Sequence, residues 1–153
     1  MESDRAVVER QLGRPPRAFR GVVVRCPFGR PAVTEQAAYD DDAGEPFPTT
    51  YWLTCPHVVA AVSRQEAAGG VERWSRAAAG EAELAASLER ASEEQRGIRP
   101  ELDLGIGGAR AGAGSLKCLH AHVAFALARP GYELVERIVA ELGPLWPSVC
   151  CTP

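Results

Sequence analysis

Every stretch with strand character in this chain lies ahead of Pro56, and the remainder reads as helix. Val22-Val23-Val24, Ala32-Val33-Thr34 and Thr49-Thr50-Tyr51-Trp52-Leu53-Thr54 are short runs rich in β-branched and aromatic residues. Cys26-Pro27-Phe28-Gly29 ends the first run in a turn, because Pro and Gly cannot extend a ladder there. Strands grouped first and helices after them predict an α+β fold: a small, mainly antiparallel sheet from the N-terminal third, packed by helices from the remainder. At 153 residues and 46% hydrophobic content, the chain fits one domain over residues 1–153. A chain of that size buries roughly 70% of its unfolded surface, so size alone demands no staple.

Helix punctuation supplies the remaining elements. Ser3 suits the cap of a first helix reaching Leu12, with Val7, Val8 and Leu12 inward and Gly13 as its stop. Pro56 suits a first helical position, which makes Cys55 the cap and turns Val58, Val59 and Val62 to the core until Gly69-Gly70. Two more helices, over 71–79 and 81–95, the second with Leu84, Leu88 and Ala91 on one side, carry many Glu and Arg residues and read as a solvated pair, an arm in the extreme, with Trp74 in the core. Residues 39–48 read as an exposed loop whose Asp40-Asp41-Asp42 lacks the spaced ligands of a calcium site. The glycine-rich run 105–114 leads to Ser115, an N-cap for a helix reaching Ala128. Leu134, Val135, Ile138, Val139 and Leu142 then form a helical stripe that Gly143-Pro144 stops.

A net charge of −3 gives no overall basic field, which disfavours a duplex nucleic-acid partner; a protein partner stays open. No stretch approaches the ~18 apolar residues of a membrane span. The polar, acidic start Met1-Glu2-Ser3-Asp4 lacks a secretion pattern, so a cytoplasmic protein is expected. Thiols stay reduced there, and the five cysteines point to burial, metal binding or catalysis rather than to disulfides.

Two of the three histidines and one cysteine fall in Lys117-Cys118-Leu119-His120-Ala121-His122. On a regular helix from Ser115, Cys118 and His122 are neighbours at i and i+4, while His120 points elsewhere. A helix that begins after Cys118 would bring His120 back. Cys26, Cys55 and Cys150 also lie at element ends, where ligands from several elements can converge. Cys26, Cys55, Cys118 and Cys150, with His120 or His122 as an alternate, would satisfy zinc's tetrahedral preference, and four thiolates would also hold an iron–sulfur cluster. No C-x-x-C knuckle is present, and small buried thiols are the plain alternative. If protein fills every coordination position, the metal is structural or regulatory; an open position favours catalysis. A second reading is a thiol-dependent enzyme acting on a phosphorylated or acyl small molecule, with Cys118 or Cys55 as nucleophile and His122, His120 or His57 as base. The glycine run fails both phosphate-loop patterns: Ala113 stands where the P-loop needs Lys, and Arg110 where G-x-G-x-x-G needs Gly.

Cys26-Pro27-Phe28-Gly29-Arg30-Pro31, Phe47-Pro48-Thr49, Trp52-Leu53-Thr54-Cys55-Pro56 and Lys117-Cys118-Leu119-His120 together resemble the DUF501 family, bacterial proteins of unknown function, over residues 12–150. The resemblance implies that Cys26, Cys55, Cys118, His120 and a C-terminal cysteine, Cys150 or Cys151, stand at recurring family positions. It favours His120 over His57.

Overall fold

The computed structural model describes residues 1–110 and 115–152; Gly112 and Gly114 of the glycine run lie outside the described residues. Helix α1 (Asp4–Leu12) starts where Ser3 Oγ accepts the Ala6 amide at 3.2 Å and ends at left-handed Gly13. It is followed by β1 (Phe19–Arg25) and β2 (Pro31–Gln36), then a minor two-stranded hairpin of β3 (Tyr39–Asp40) and β4 (Glu45–Pro46), and β5 (Tyr51–Leu53). The main sheet has the order β1-β2-β5 and is antiparallel throughout, with Val22 opposite Thr34 and Val33 opposite Leu53. Central β2 is almost wholly buried, whereas edge strand β1 is half-exposed, as expected when only one of them is flanked on both sides.

Among the described residues, six α-helices and a sheet drawn from the N-terminal third give the α+β class that the segregated sequence pattern predicts. Past the sheet come α2 (Pro56–Ala67), α3 (Gly70–Gly80), α4 (Ala82–Ile98), a 3₁₀ turn at Ile106–Gly108, α5 (Leu119–Ala128) and α6 (Glu133–Ala140). Helix α5 runs through the middle of the fold: Leu119, Ala121, His122, Val123, Ala124, Phe125 and Ala126 are all buried. A helix that is apolar all round belongs in a core, and α5 packs against β5, α6 and α2. Phe125 meets Tyr51 of β5 and Tyr132 edge-on or tilted, with ring centroids 5.8 and 6.0 Å apart.

Two expectations change. The 39–48 segment is not simply an exposed loop. Asp40 is buried, paired with Arg17 at 2.9 Å, and its other oxygen accepts the amides of Asp42 and Ala43, so the first aspartate is the hairpin's internal brace. Nor is the Glu- and Arg-rich pair an arm. Helix α4 buries Leu84, Ser87, Ala91 and Gln95, and near its C-terminus Gln95 donates to Thr50 while Arg99 donates to the Gln36 carbonyl, which ties it to the sheet. Its charges mark one face only. Trp74 of α3 is buried, as its size suggests.

The turn between α2 and α3 brings two helix ends together. Gly69 is left-handed at φ 85°, and a Cβ on Gly70 would lie 2.6 Å from the Gln65 carbonyl oxygen and 3.0 Å from Leu119 Cδ1. Only glycine lets the start of α3 turn this tightly off the end of α2, beside Leu119 of α5.

Candidate functional site

Helix α5 does not begin at Ser115. The Leu116 amide is taken by Ser75 Oγ of α3 at 2.9 Å, Lys117 is left-handed at φ 72°, and Cys118 is extended, so the first helical residue is Leu119. The late start decides the histidine question. With Cys118 outside the helix, the i and i+2 residues Cys118 and His120 come together, and Cys118 Sγ stands 4.0 Å from His120 Nδ1. His122 does not join them. It is 2% exposed, and its Nε2 donates to the Leu116 carbonyl at 3.2 Å, which fixes the proton on Nε2 because a carbonyl can only accept. Burial lowers its pKa to about 4, so the ring is neutral, and its bare Nδ1 has no partner among the described residues.

The third member comes from α2. Glu66 Oε1 lies 3.2 Å from His120 Nδ1, while Oε2 accepts the Leu119 amide at 2.8 Å. Oε2 thus caps α5 from another helix and leaves Oε1 facing the histidine. Ser63, one turn earlier on α2, sits 3.1 Å from His120 Nε2 and fixes the ring from behind. Glu66, Cys118 and His120 offer one donor atom each, all within 4.8 Å of one another, and all three residues are half-buried. They are the one such group of His, Cys, Asp and Glu side chains among the described residues.

The electrostatics poise the group. Burial would push the Cys118 thiol up, but the His120 contact and the Ala121 amide at the helix start outweigh it, and the net direction is down. His120 is shifted the other way, chiefly by Cys118 and against its own burial, with Glu66 adding to the rise. Beside them opens a largely apolar cavity of ≈ 490 Å³, lined by Cys118 and His120 together with Trp52, Leu53, Val59 and Leu12 among others.

The other candidates lie elsewhere. Buried Cys26 opens the turn after β1, where its carbonyl accepts the Gly29 amide at 2.9 Å. Cys55 caps α2, but its sulfur faces Cys151 at 3.7 Å rather than Cys118. Half-buried Cys150 accepts the Thr152 amide at 3.4 Å, and the ring of His57 meets the Pro144 carbonyl at 3.3 Å. So Cys118 and His120 come together, while Cys26, Cys55 and Cys150 stand outside their group. Glu66 and Ser63 had no signal in the sequence: each is one polar residue among many on a solvated helix face, 53 and 57 positions from its partner in α5.

A family model described as a protein of unknown function (DUF501) matches residues 22–103, more than half of the chain. The matched span holds Cys26, Cys55, Ser63 and Glu66; Cys118 and His120 lie beyond it. No curated protein and no solved structure matches the chain. Among the described residues, no helix is long and apolar enough to cross a membrane.

Proposed function

The chain belongs to the DUF501 family, of unknown function, and from that premise we propose that the protein is a zinc-binding protein whose metal sits between Glu66, Cys118 and His120. One observation carries the reading. Cys118 Sγ and Glu66 Oε1 both approach the same ring nitrogen, Nδ1 of His120, while Nε2 is occupied by Ser63. A proton relay from thiol to carboxylate needs the two groups on opposite nitrogens of the ring, as in a nucleophile–base–acid triad. Convergence on one nitrogen is what a shared metal requires.

Two of the three donor separations fit. With zinc–sulfur bonds near 2.3 Å and zinc–nitrogen and zinc–oxygen bonds near 2.1 Å, tetrahedral donors stand about 3.4–3.6 Å apart. The sulfur–nitrogen and nitrogen–oxygen separations, 4.0 and 3.2 Å, lie to either side of that value. One sulfur, one imidazole and one carboxylate form a borderline donor set that suits zinc. An iron–sulfur cluster, held as a rule by four cysteines, is disfavoured by a single thiolate. Three protein ligands leave one position, and Cys118 and His120 line the adjoining cavity. An exchangeable position of this kind is the mark of a catalytic rather than a closed structural zinc.

Zinc titration of the metal-free protein, with cobalt as a spectroscopic probe, tests the reading. One equivalent of zinc is expected to bind, with a thiolate-to-cobalt charge-transfer band that disappears in Cys118→Ser. His120→Ala should weaken binding at least ten-fold. Binding that ignores both substitutions, or no binding at micromolar zinc, would remove the proposal.

The second reading is a thiol-dependent enzyme, favoured by the lowered Cys118 thiol beside the cavity. Alkylation separates the two: a metal ligand is protected by zinc and released by a chelator, whereas a free nucleophile reacts at the same rate with or without it.

A further inference from the structure

Away from the zinc ligands, the tail brings a second thiol group to the N-terminus of α2. Thr152 is buried, and its hydroxyl accepts Gln11 Nε2 at 3.2 Å; the same nitrogen donates to the Pro31 carbonyl at 2.9 Å. That anchor, between α1 and β2, holds the preceding residue, Cys151, over Cys55 with the two sulfurs 3.7 Å apart.

The two thiols are unlike. Cys55 is 2% exposed, and burial pushes it up to about 11, against the helping amides of Val58 and His57. Cys151 is exposed at the surface. Its partial burial is outweighed by the His57 amide at the start of α2, the Thr152 hydroxyl and Cys55, and its direction is down. An accessible, thiolate-prone sulfur in contact with a buried one is the arrangement of an attacking and a resolving cysteine.

We propose that Cys55 and Cys151 form a peroxide-oxidisable dithiol site that closes reversibly to a disulfide, independent of the zinc site. The Cys151 thiolate attacks one oxygen of a hydroperoxide; an S–O bond forms, the O–O bond breaks, and the departing oxygen takes a proton to leave as water or an alcohol. Cys55 then gives up its proton and attacks the Cys151 sulfur. The S–S bond forms, the S–O bond breaks, and the hydroxyl leaves as water. Two thiols lose two electrons in all, and the hydroperoxide accepts them. A disulfide bond is about 2.05 Å long, so the sulfurs must close by about 1.7 Å. Cys55 is fixed at the head of α2, whereas Cys151 lies on a segment without helix or strand, so the tail supplies the movement.

The test uses the full chain, treated with one to five equivalents of hydrogen peroxide, alkylated under denaturing conditions, digested, and sequenced by fragmentation mass spectrometry. Two of the five thiols should be lost, Cys55 and Cys151 should appear in one cross-linked product, and dithiothreitol should restore both. Cys150→Ser, which leaves both partners in place, should give the same product. Cys151→Ser should leave Cys55 free. A Cys150–Cys151 linkage, a disulfide between two chains, or Cys151 passing to the sulfinic acid while Cys55 stays reduced would overturn the proposal.

Discussion

Glu66 Oε2 accepts the backbone N–H of Leu119 at 2.8 Å, so a carboxylate at the end of α2 caps the start of α5. The first turn of a helix has amides without internal partners and carries the positive end of its dipole, and a carboxylate there satisfies both. The same side chain presents its second oxygen to His120 at 3.2 Å. Fold and site therefore share one residue, and its two roles separate by substitution. Glu66→Ala is expected to lose about 1 kcal/mol of stability, the usual cost of a lost cap. Glu66→Gln keeps an oxygen for the Leu119 amide and should stay close to the parent in urea denaturation while binding zinc more weakly. Equal zinc affinity in Glu66→Gln would remove the carboxylate from the site.

Gly70 sets how tightly α3 turns off the end of α2. An added methyl would stand 2.6 Å from the backbone oxygen of Gln65, which cannot swing aside as a side chain could. Gly70→Ala should therefore cost about 1–3 kcal/mol, the range for overpacking. It should also reduce zinc affinity, because Glu66 moves with the strained turn. A midpoint of denaturation unchanged from the parent would show that the close approach is not required.

Ser63 Oγ stands 3.1 Å from His120 Nε2. Partners on the far side of a ligand ring orient it and commonly contribute 10- to 100-fold in metal affinity. Ser63 is exposed, so Ser63→Ala should leave the denaturation curve in place and weaken zinc binding by a factor in that range. A competition titration against a chromophoric chelator reads this directly, and an unshifted affinity would mean that Ser63 does not hold the ring.

His122 makes stability depend on pH. Its folded pKa is about 4 against an ordinary 6.5, so the unfolded chain takes up a proton at a pH where the folded chain does not. Stability from this group is present above the unfolded value and drains away as pH falls through the window between 6.5 and about 4, by roughly 3 kcal/mol in all. His120 acts with the opposite sign: its raised pKa favours the fold below the unfolded value and loses that contribution as pH rises through the folded one. His122→Gln can still donate to the Leu116 carbonyl without titrating. Its urea-denaturation free energy should fall less steeply than the parent's between pH 6.5 and pH 4.5, and parallel curves would count against the buried neutral ring.

The features legible in the sequence were those that depend on neighbours along the chain. Strand runs ahead of Pro56 and helical periods after it gave the class. Ser3, Gly13 and Pro56 mark their helix ends because capping and φ restriction act within a few residues. The stripe over Leu134, Val135 and Ile138 gave the buried face of α6 by the same local rule. On α4 the side carrying Leu84 and Ala91 is the buried one, as the helical period suggests, and only the arm reading gave its charged face too much weight.

The candidate site depends on contacts between distant segments. Ser115 has the chemistry of an N-cap, yet α5 starts three residues later than that cap would place it, because Ser75 holds the Leu116 amide and Glu66 the Leu119 amide. That shift takes Cys118 out of the helix and replaces a Cys118–His122 pairing by Cys118 with His120. Glu66 and Cys151 have no pattern that points to their partners, since a carboxylate 53 residues from Leu119 and a thiol 96 residues from Cys55 meet only once the core has packed. Propensity and capping are local terms, so the sequence alone determined the elements. Burial of α5 against the sheet is a long-range term, and only that packing decided which cysteine faces which histidine.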